Sequence, residues 1–277
     1  MLKTLWVFTL LLAVGLSVPT GIIDKYYQKF VARGGRITGG KEAARNQFPY
    51  QVIFFIYTND GQSICGGSIL STNYVLSAAH CFVSFSSADL LAGIHNIEQD
   101  DAAYELEIFP TDVITHAQYN RVTQLNDIAV ARTSRRPIPL GATITAITLV
   151  PRSWATTDLT GLMARVAGWG RVSDTVSEVS ATLRYIDAGI ISNTECAKTF
   201  GSVITASNVC LSGANSRSTC QGDSGGPLTV TNGGRQVQVG IVSFGSDTGC
   251  QKGYPTAFAR ITSFHTWIQT TTGITIP

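Results

Sequence analysis

Short runs of β-branched, aromatic and other apolar residues alternate with turn formers through most of the chain. They cover Gln51 to Tyr57, Ser68 to Ser77, Tyr104 to Thr115, Asp127 to Thr133, Leu162 to Gly168, Leu183 to Ile191, Pro227 to Thr231, Gln236 to Phe244 and Thr256 to Ile261. Runs of this length bounded by glycine, proline, asparagine and serine predict strands. Almost no helical pattern separates them, which excludes the strand–helix alternation of a parallel sheet and predicts an all-β fold. The one predicted helix is Ser263 to Thr271, where Ser263 serves as a cap and Phe264, Trp267 and Ile268 fall at helical spacing. A seam between two halves is expected where Arg135-Arg136-Pro137 to Gly141 interrupts the pattern.

The N-terminus departs from this rhythm. Lys3 precedes an apolar run from Leu5 to Leu16 that ends among Gly15 and Ser17, the make-up of a secretory signal peptide over residues 1–17. An N-terminal membrane anchor is the alternative, but the run falls short of the roughly 20 residues a span needs, and no later stretch supplies one. The following segment, 18–36, carries Lys25, Lys29, Arg33 and Arg36 and ends in the loop-like Arg33-Gly34-Gly35-Arg36, where a protease could cut. The net charge is +2; without residues 1–36 it turns to −2, 15 bases against 17 acids. Neither value suits a protein that neutralises phosphates, so nucleic acid is excluded as a partner. With 277 residues, 44% hydrophobic, the chain can bury a large core in one big domain or two packed ones. Its six cysteines suit a few disulfides formed outside the cytosol, with connectivity left open by spacing alone.

The segment Cys220-Gln221-Gly222-Asp223-Ser224-Gly225-Gly226-Pro227 is the most informative. Its glycines hold a serine hydroxyl on a tight backbone whose amides can face a substrate. Two such amides aimed at a tetrahedral oxyanion are worth about 3 kcal/mol each in acyl transfer. Composition alone would equally describe a plain turn. A base for the hydroxyl is offered by His80, in Leu76-Ser77-Ala78-Ala79-His80-Cys81, since imidazole titrates near neutrality. Asp127 enters the apolar run Ile128-Ala129-Val130, so its carboxylate needs a partner once buried. In chain order the three read His80, Asp127, Ser224, an order that separates chymotrypsin-type enzymes from the other folds that converged on a Ser-His-Asp triad.

On these segments, together with Arg36-Ile37-Thr38-Gly39-Gly40, Gly168-Trp169-Gly170, Ser243-Phe244-Gly245 and the helix holding Trp267-Ile268, the chain resembles the precursors of chymotrypsin-type (S1 family) serine endopeptidases. The resemblance covers residues 37 to about 270. It implies two packed six-stranded antiparallel β-barrels with a C-terminal helix, the first over about 37–140 and the second with the helix over about 141–277. It assigns Ser224 as nucleophile, His80 as proton carrier, Asp127 as the group that fixes the imidazole, and the amides of Gly222 and Ser224 as the oxyanion hole. Cleavage after Arg36 by a trypsin-like protease would free the amine of Ile37 to pair with Asp223. The family pattern pairs Cys65 with Cys81, Cys196 with Cys210, and Cys220 with Cys250, leaving none to tether the released propeptide.

The same resemblance assigns Ser218, Ser243, Phe244, Gly245 and Thr256 to substrate binding. Ser218 stands where trypsin-like relatives carry an aspartate, which disfavours lysine or arginine before the cut. Gly245 leaves one wall open, while Thr256 is expected to narrow the pocket toward medium side chains. Pro255 argues against a sodium site, and Ile94 against a structural calcium despite Glu98, Asp100 and Asp101. No metal or other cofactor is expected, and no Asn-X-Ser/Thr acceptor occurs. The expected protein is secreted and monomeric, acts on proteins or peptides, and has an activating protease and protein inhibitors as partners. Two other readings stay open: a catalytically silent protease-like binding protein, and an α/β-hydrolase esterase whose elbow would be Gly222-Asp223-Ser224-Gly225-Gly226, a motif that needs a strand before it and a helix after it.

Overall fold

The computed structural model describes residues 31–32, 39–99 and 102–277. The expected signal peptide, the Arg36–Ile37 bond, Asp100 and Asp101 lie outside the described residues. Of the expected propeptide, the backbone of Val31–Ala32 pairs in parallel with Val179–Ser180.

The first sheet runs, in spatial order, Tyr104–Ile108, Phe85–Ala92, Gln51–Thr58, Gly61–Ser71, Tyr74–Ser77, Ala129–Arg132 and Val113–Thr115, every pair antiparallel. From Gln51 to Ile56 every residue is buried, which is why that strand reads as a nearly unbroken apolar run rather than an alternation. Its two end strands are not paired with each other. The turn Pro110–Asp112 divides the run expected over 104–115, because proline has no N–H to give to a ladder. The run expected over 68–77 is likewise two strands, folded back at Thr72-Asn73 with Ser71 opposite Tyr74.

The second sheet closes on itself. Met163–Gly168, Arg184–Ile191, Asn208–Leu211, Thr256–Arg260, Arg235–Phe244 and Pro227–Asn232 form a six-stranded ring in which the last strand pairs again with the first. Along Arg184–Ile191 buried and half-buried residues alternate without a break, the inside-outside period of a barrel wall. Lys41–Glu42 joins this barrel beside Tyr185 and Arg184 although it precedes the whole first sheet in sequence. Where two six-stranded barrels were expected, the first sheet is thus an open, seven-stranded half-barrel, stitched to the closed one by a buried bond from Ser68 Oγ to Gln238 Oε1 of 2.7 Å. In addition, the His116 ring packs against Phe264 and Trp267 at the C-terminal helix.

That helix spans His265–Thr272 and stops at Gly273, whose φ of +72° is the left-handed cap glycine allows. It begins two residues later than expected. Ser263 falls instead in the turn Ile261–Phe264, and no side chain caps the helix. A helix not expected, Asn193–Phe200, is capped by Ser192 Oγ accepting from Glu195 N–H at 3.1 Å; the Ser-x-x-Glu spacing carried the signal. The α/β-hydrolase reading is overturned: a turn precedes Ser224, and the strand Pro227–Asn232, not a helix, follows it.

Candidate active site

His80 lies in the turn Ala79–Phe82 that leaves the strand Tyr74–Ser77, and the Cys65–Cys81 disulfide pins that turn to the neighbouring strand Gly61–Ser71. Asp127 stands just ahead of Ala129–Arg132, whose pairing places Ala129 opposite Ser77. Antiparallel register therefore delivers the histidine and the aspartate to the same end of one sheet. The Asp127 carboxylate is fully buried and takes three donors: His80 N–H at 2.9 Å, His80 Nδ1–H at 2.7 Å and Ser243 Oγ–H at 2.5 Å. Holding the proton on Nδ1 leaves Nε2 as an acceptor. Ser243, expected at the substrate, thus also reaches across from the second barrel to steady the carboxylate.

The Ser224 loop is seated on the same sheet end. Gly66 N–H donates to Ser224 O at 2.7 Å, and Gly225 N–H donates to Val242 O at 2.8 Å. Gly225 has φ +80°, and any side chain there would collide with Ser77 Oγ and Gly66 O. At Gly222, φ is +99° and a Cβ would press on Gly170 and Ile64 at 3.0 Å, so only glycine fits both conformation and space. Asp223 and Gly226 give their N–H groups to backbone carbonyls and Cys220 gives its own to Asp223 Oδ2. Among the described residues the N–H groups of Gly222 and Ser224 have no protein acceptor. Nor does a hydrogen bond join the Ser224 hydroxyl to His80, whose Nε2 lies 3.9 Å from Cys81 Sγ.

Behind the loop Asp223 is buried, its carboxylate accepting from Gly170 N–H at 2.8 Å and Cys220 N–H at 2.9 Å. Burial pushes its carboxyl up to about 6, and the two backbone bonds only partly oppose that. Side chains on Gly168 or Gly170 would collide with this carboxyl, which is the physical content of the Gly168-Trp169-Gly170 motif.

A cavity of about 220 Å³ opens beside Ser224. Of the expected substrate-binding residues, Ser218, Ser243, Phe244 and Gly245 line it. A Cβ on Gly245 would meet nothing within 4 Å, so that wall is open. Thr256 does not line it. It is buried one layer back, its Oγ1 accepting from Thr219 Oγ1 at 3.1 Å and lying 3.1 Å from Ser218 Oγ. Phe244 is braced edge-on by Phe200 of the unexpected helix. Thr219, Gln221, Val242, Asp247 and Tyr254 also line the cavity and were not expected; the first three adjoin motif residues, whereas Asp247 and Tyr254 sit in a loop with no motif to mark them. The disulfides Cys196–Cys210 and Cys220–Cys250 are formed, the latter in the cavity wall.

Two β-sheets meeting at a half-buried histidine bonded to a buried aspartate, with a glycine-flanked serine beside an uncharged pocket floor, define a serine endopeptidase. Residues 37–268 match the family model described as Trypsin, and the chain belongs to that family. It is 41% identical over 239 residues to brachyurin of Leptuca pugilator, an alignment covering 86% of this chain and all of that one. It is 33% identical over 276 residues to a collagenase of Hypoderma lineatum, covering 99% of each. A solved structure of HL collagenase superposes with a TM-score of 0.78 at 31% identity, covering 87% of this chain and all of the other. Among the described residues no helix is long and apolar enough to cross a membrane.

Proposed function

We propose that the chain is made as a secreted, monomeric precursor with a signal peptide over 1–17, a propeptide over 18–36 and a peptidase domain over 37–277. It is switched on by cleavage after Arg36 and hydrolyses proteins after apolar or aromatic side chains. The observation that carries the reading is the Asp127 carboxylate, buried and bonded to His80 Nδ1 at 2.7 Å, which leaves His80 Nε2 as the acceptor. Ser224 Oγ attacks the scissile carbonyl carbon as His80 Nε2 accepts its proton. The carbonyl oxygen gains charge against the N–H groups of Gly222 and Ser224. His80 then passes the proton to the leaving amine, leaving an acyl-enzyme that water opens by the same steps in reverse. Asp127 stabilises the imidazolium throughout.

Activation is read from Asp223. Among the described residues this buried carboxylate accepts from two backbone amides and meets no cation, and the ammonium freed on Ile37 by cleavage would supply one. The uncharged floor at Ser218 supports an apolar preference. Since a relative aligned over almost its whole length is named a collagenase, collagen belongs among the protein substrates to assay. The test is reaction with a serine-phosphonylating reagent followed by mass spectrometry. A single adduct on Ser224, formed only after Arg36 is cut, is expected. No adduct in the cut enzyme would leave a silent binding protein as the reading, and an equally fast adduct in the uncut chain would refute activation at Arg36.

A further inference from the structure

The loop that follows Trp169 touches the serine loop and its pocket at three successive points. Gly170 N–H donates to the Asp223 carboxylate, and Arg171 N–H donates to Gln221 O at 2.8 Å. The third contact belongs to Asp174. Its Oδ1 accepts from Cys250 N–H at 2.6 Å, its Oδ2 accepts from Gln251 N–H at 3.1 Å, and its own N–H donates to Gln251 Oε1 at 3.0 Å. Gly249 completes the fit, for with φ +132° a Cβ there would lie 2.5 Å from Asp174 Oδ2. Gly249 and Cys250 line the pocket, and Cys250 is bonded to Cys220, two residues before Gly222. One carboxylate therefore clasps, through charge-assisted bonds, the strip of backbone that forms the rim of the cavity.

We propose that Asp174 is a positioning residue that sets selectivity for the side chain before the cut, by fixing the rim Gly249-Cys250-Gln251 from outside the pocket. Asp174 lies on the surface and does not line the cavity, so it acts on the substrate only through that backbone. A released rim can move outward on its disulfide tether. Side chains long enough to touch the wall then lose contacts, whereas a methyl group never reached it. The inference rests on reading the cavity as the pocket for the residue before the scissile bond.

The experiment measures kcat and KM of the cut enzyme on peptide anilides differing only in that residue, alanine, leucine or phenylalanine, for wild type, Asp174→Ala, Asp174→Asn and Gln251→Ala, with melting temperatures alongside. For Asp174→Ala, kcat/KM should fall about tenfold on leucine and phenylalanine, chiefly through KM, and by less than about threefold on alanine. Asp174→Asn keeps an oxygen for Cys250 N–H but can turn an amide toward Gln251 N–H, so it should recover part of the loss. Gln251→Ala, which removes one leg and leaves the carboxylate, should move selectivity the same way by less. An unchanged ranking, or an equal loss on all three substrates that follows a lowered melting temperature, would overturn the proposal. Because the readout is each variant against wild type, wild-type activity on a fourth, lysine anilide that exceeds all three would refute the apolar reading of the pocket while leaving the role of Asp174 to be decided by the same ratios.

Discussion

Asp127 and Asp223 are both shut off from water, yet one is furnished with side-chain donors and the other is not. Asp127 accepts from the His80 ring and the Ser243 hydroxyl as well as a backbone amide. Among the described residues Asp223 accepts from backbone amides alone, those of Gly170 and Cys220. The first carboxylate is completed by strand pairing within one sheet and a hydroxyl from the facing barrel, so the histidine half of the site forms with the fold. The second holds up a loop of glycines, and burial, only partly opposed by its two backbone bonds, pushes its carboxyl to about 6. On the activation proposed above, the serine half is the conditional one, and the Ile37 ammonium is the cation that would switch it.

The largest effects should come from the half that is always formed meeting the one that is not. Ser224→Ala and His80→Ala should each lower kcat of the cut enzyme by about 10⁶, with the double variant little worse, because they act as one unit. Asp127→Asn should cost about 10⁴ by presenting the wrong tautomer of His80 to the serine. Amide hydrolysis by purified protein, against an uncut Ser224→Ala blank, is the measurement; near-normal turnover in either alanine variant would remove that residue from the mechanism.

Next in size is the switch. Leaving a buried charge unpaired is worth about 3–5 kcal/mol, or roughly 10²- to 5 × 10³-fold. Arg36→Gln should block cutting and hold the precursor that far below the cut wild type, and Asp223→Asn should hold even a cut chain at a similar level. An Arg36→Gln precursor that hydrolyses peptides as fast as the cut enzyme would show that Asp223 does not need Ile37.

The two carboxylates should also differ in how stability follows pH. With its carboxyl raised from 3.8 to about 6, Asp223 binds its proton more tightly folded than unfolded. Its contribution is full below about 4 and is lost as pH rises through 6, on the order of 3 kcal/mol. Urea unfolding of the uncut Ser224→Ala chain should accordingly show stability falling from pH 4 to 6.5, and Asp223→Asn should flatten that slope. A slope unchanged by Asp223→Asn would assign it to other groups.

What could be read in the sequence was local. His80, Asp127 and Ser224 each stand in a short run whose neighbours explain them, and Gly222 and Gly225 are required by positive φ and by Gly170, Ile64 and Ser77 pressing on them. The strands with continuous apolar runs were legible too. Phe85–Ala92 was not, since Ser86, Ser87 and Asp89 interrupt its pattern while the cross-strand pairing with Gln51–Thr58 carries it. Long-range partners left no trace either. Ser243 meets Asp127 across 116 residues and Asp174 meets Cys250 across 76, contacts that exist only once two barrels and their loops are assembled. Thr256, expected at the pocket, lies buried behind Ser218 and Thr219 instead, and sequence says nothing of which side of Ser218 a hydroxyl occupies.

The smallest effects concern a carboxylate that this protein lacks. Ser218 Oγ lies buried against Thr219 O at 3.0 Å and Thr256 Oγ1 at 3.1 Å, so the floor of the pocket is a set of hydroxyls that satisfy one another and carry no charge. Binding there has to come from apolar area, at roughly 25 cal/mol per Å², and leucine, phenylalanine and tyrosine should outrank lysine and arginine in a profiled substrate library. Thr256→Gly removes the acceptor behind Ser218 and Thr219 and empties space below the floor, so acceptance should shift toward the aromatics, within the roughly 1–3 kcal/mol that pocket shape controls. Ser218→Asp makes the complementary change: it places a second buried carboxylate, in addition to Asp223, in the second barrel, one whose counter-charge would be the substrate itself. Lysine and arginine should then gain while phenylalanine loses. Dominant cleavage after basic residues by the unaltered enzyme would refute the uncharged-floor reading, and acceptance of alanine and valine alone would mean that the walls close further in than Gly245 allows.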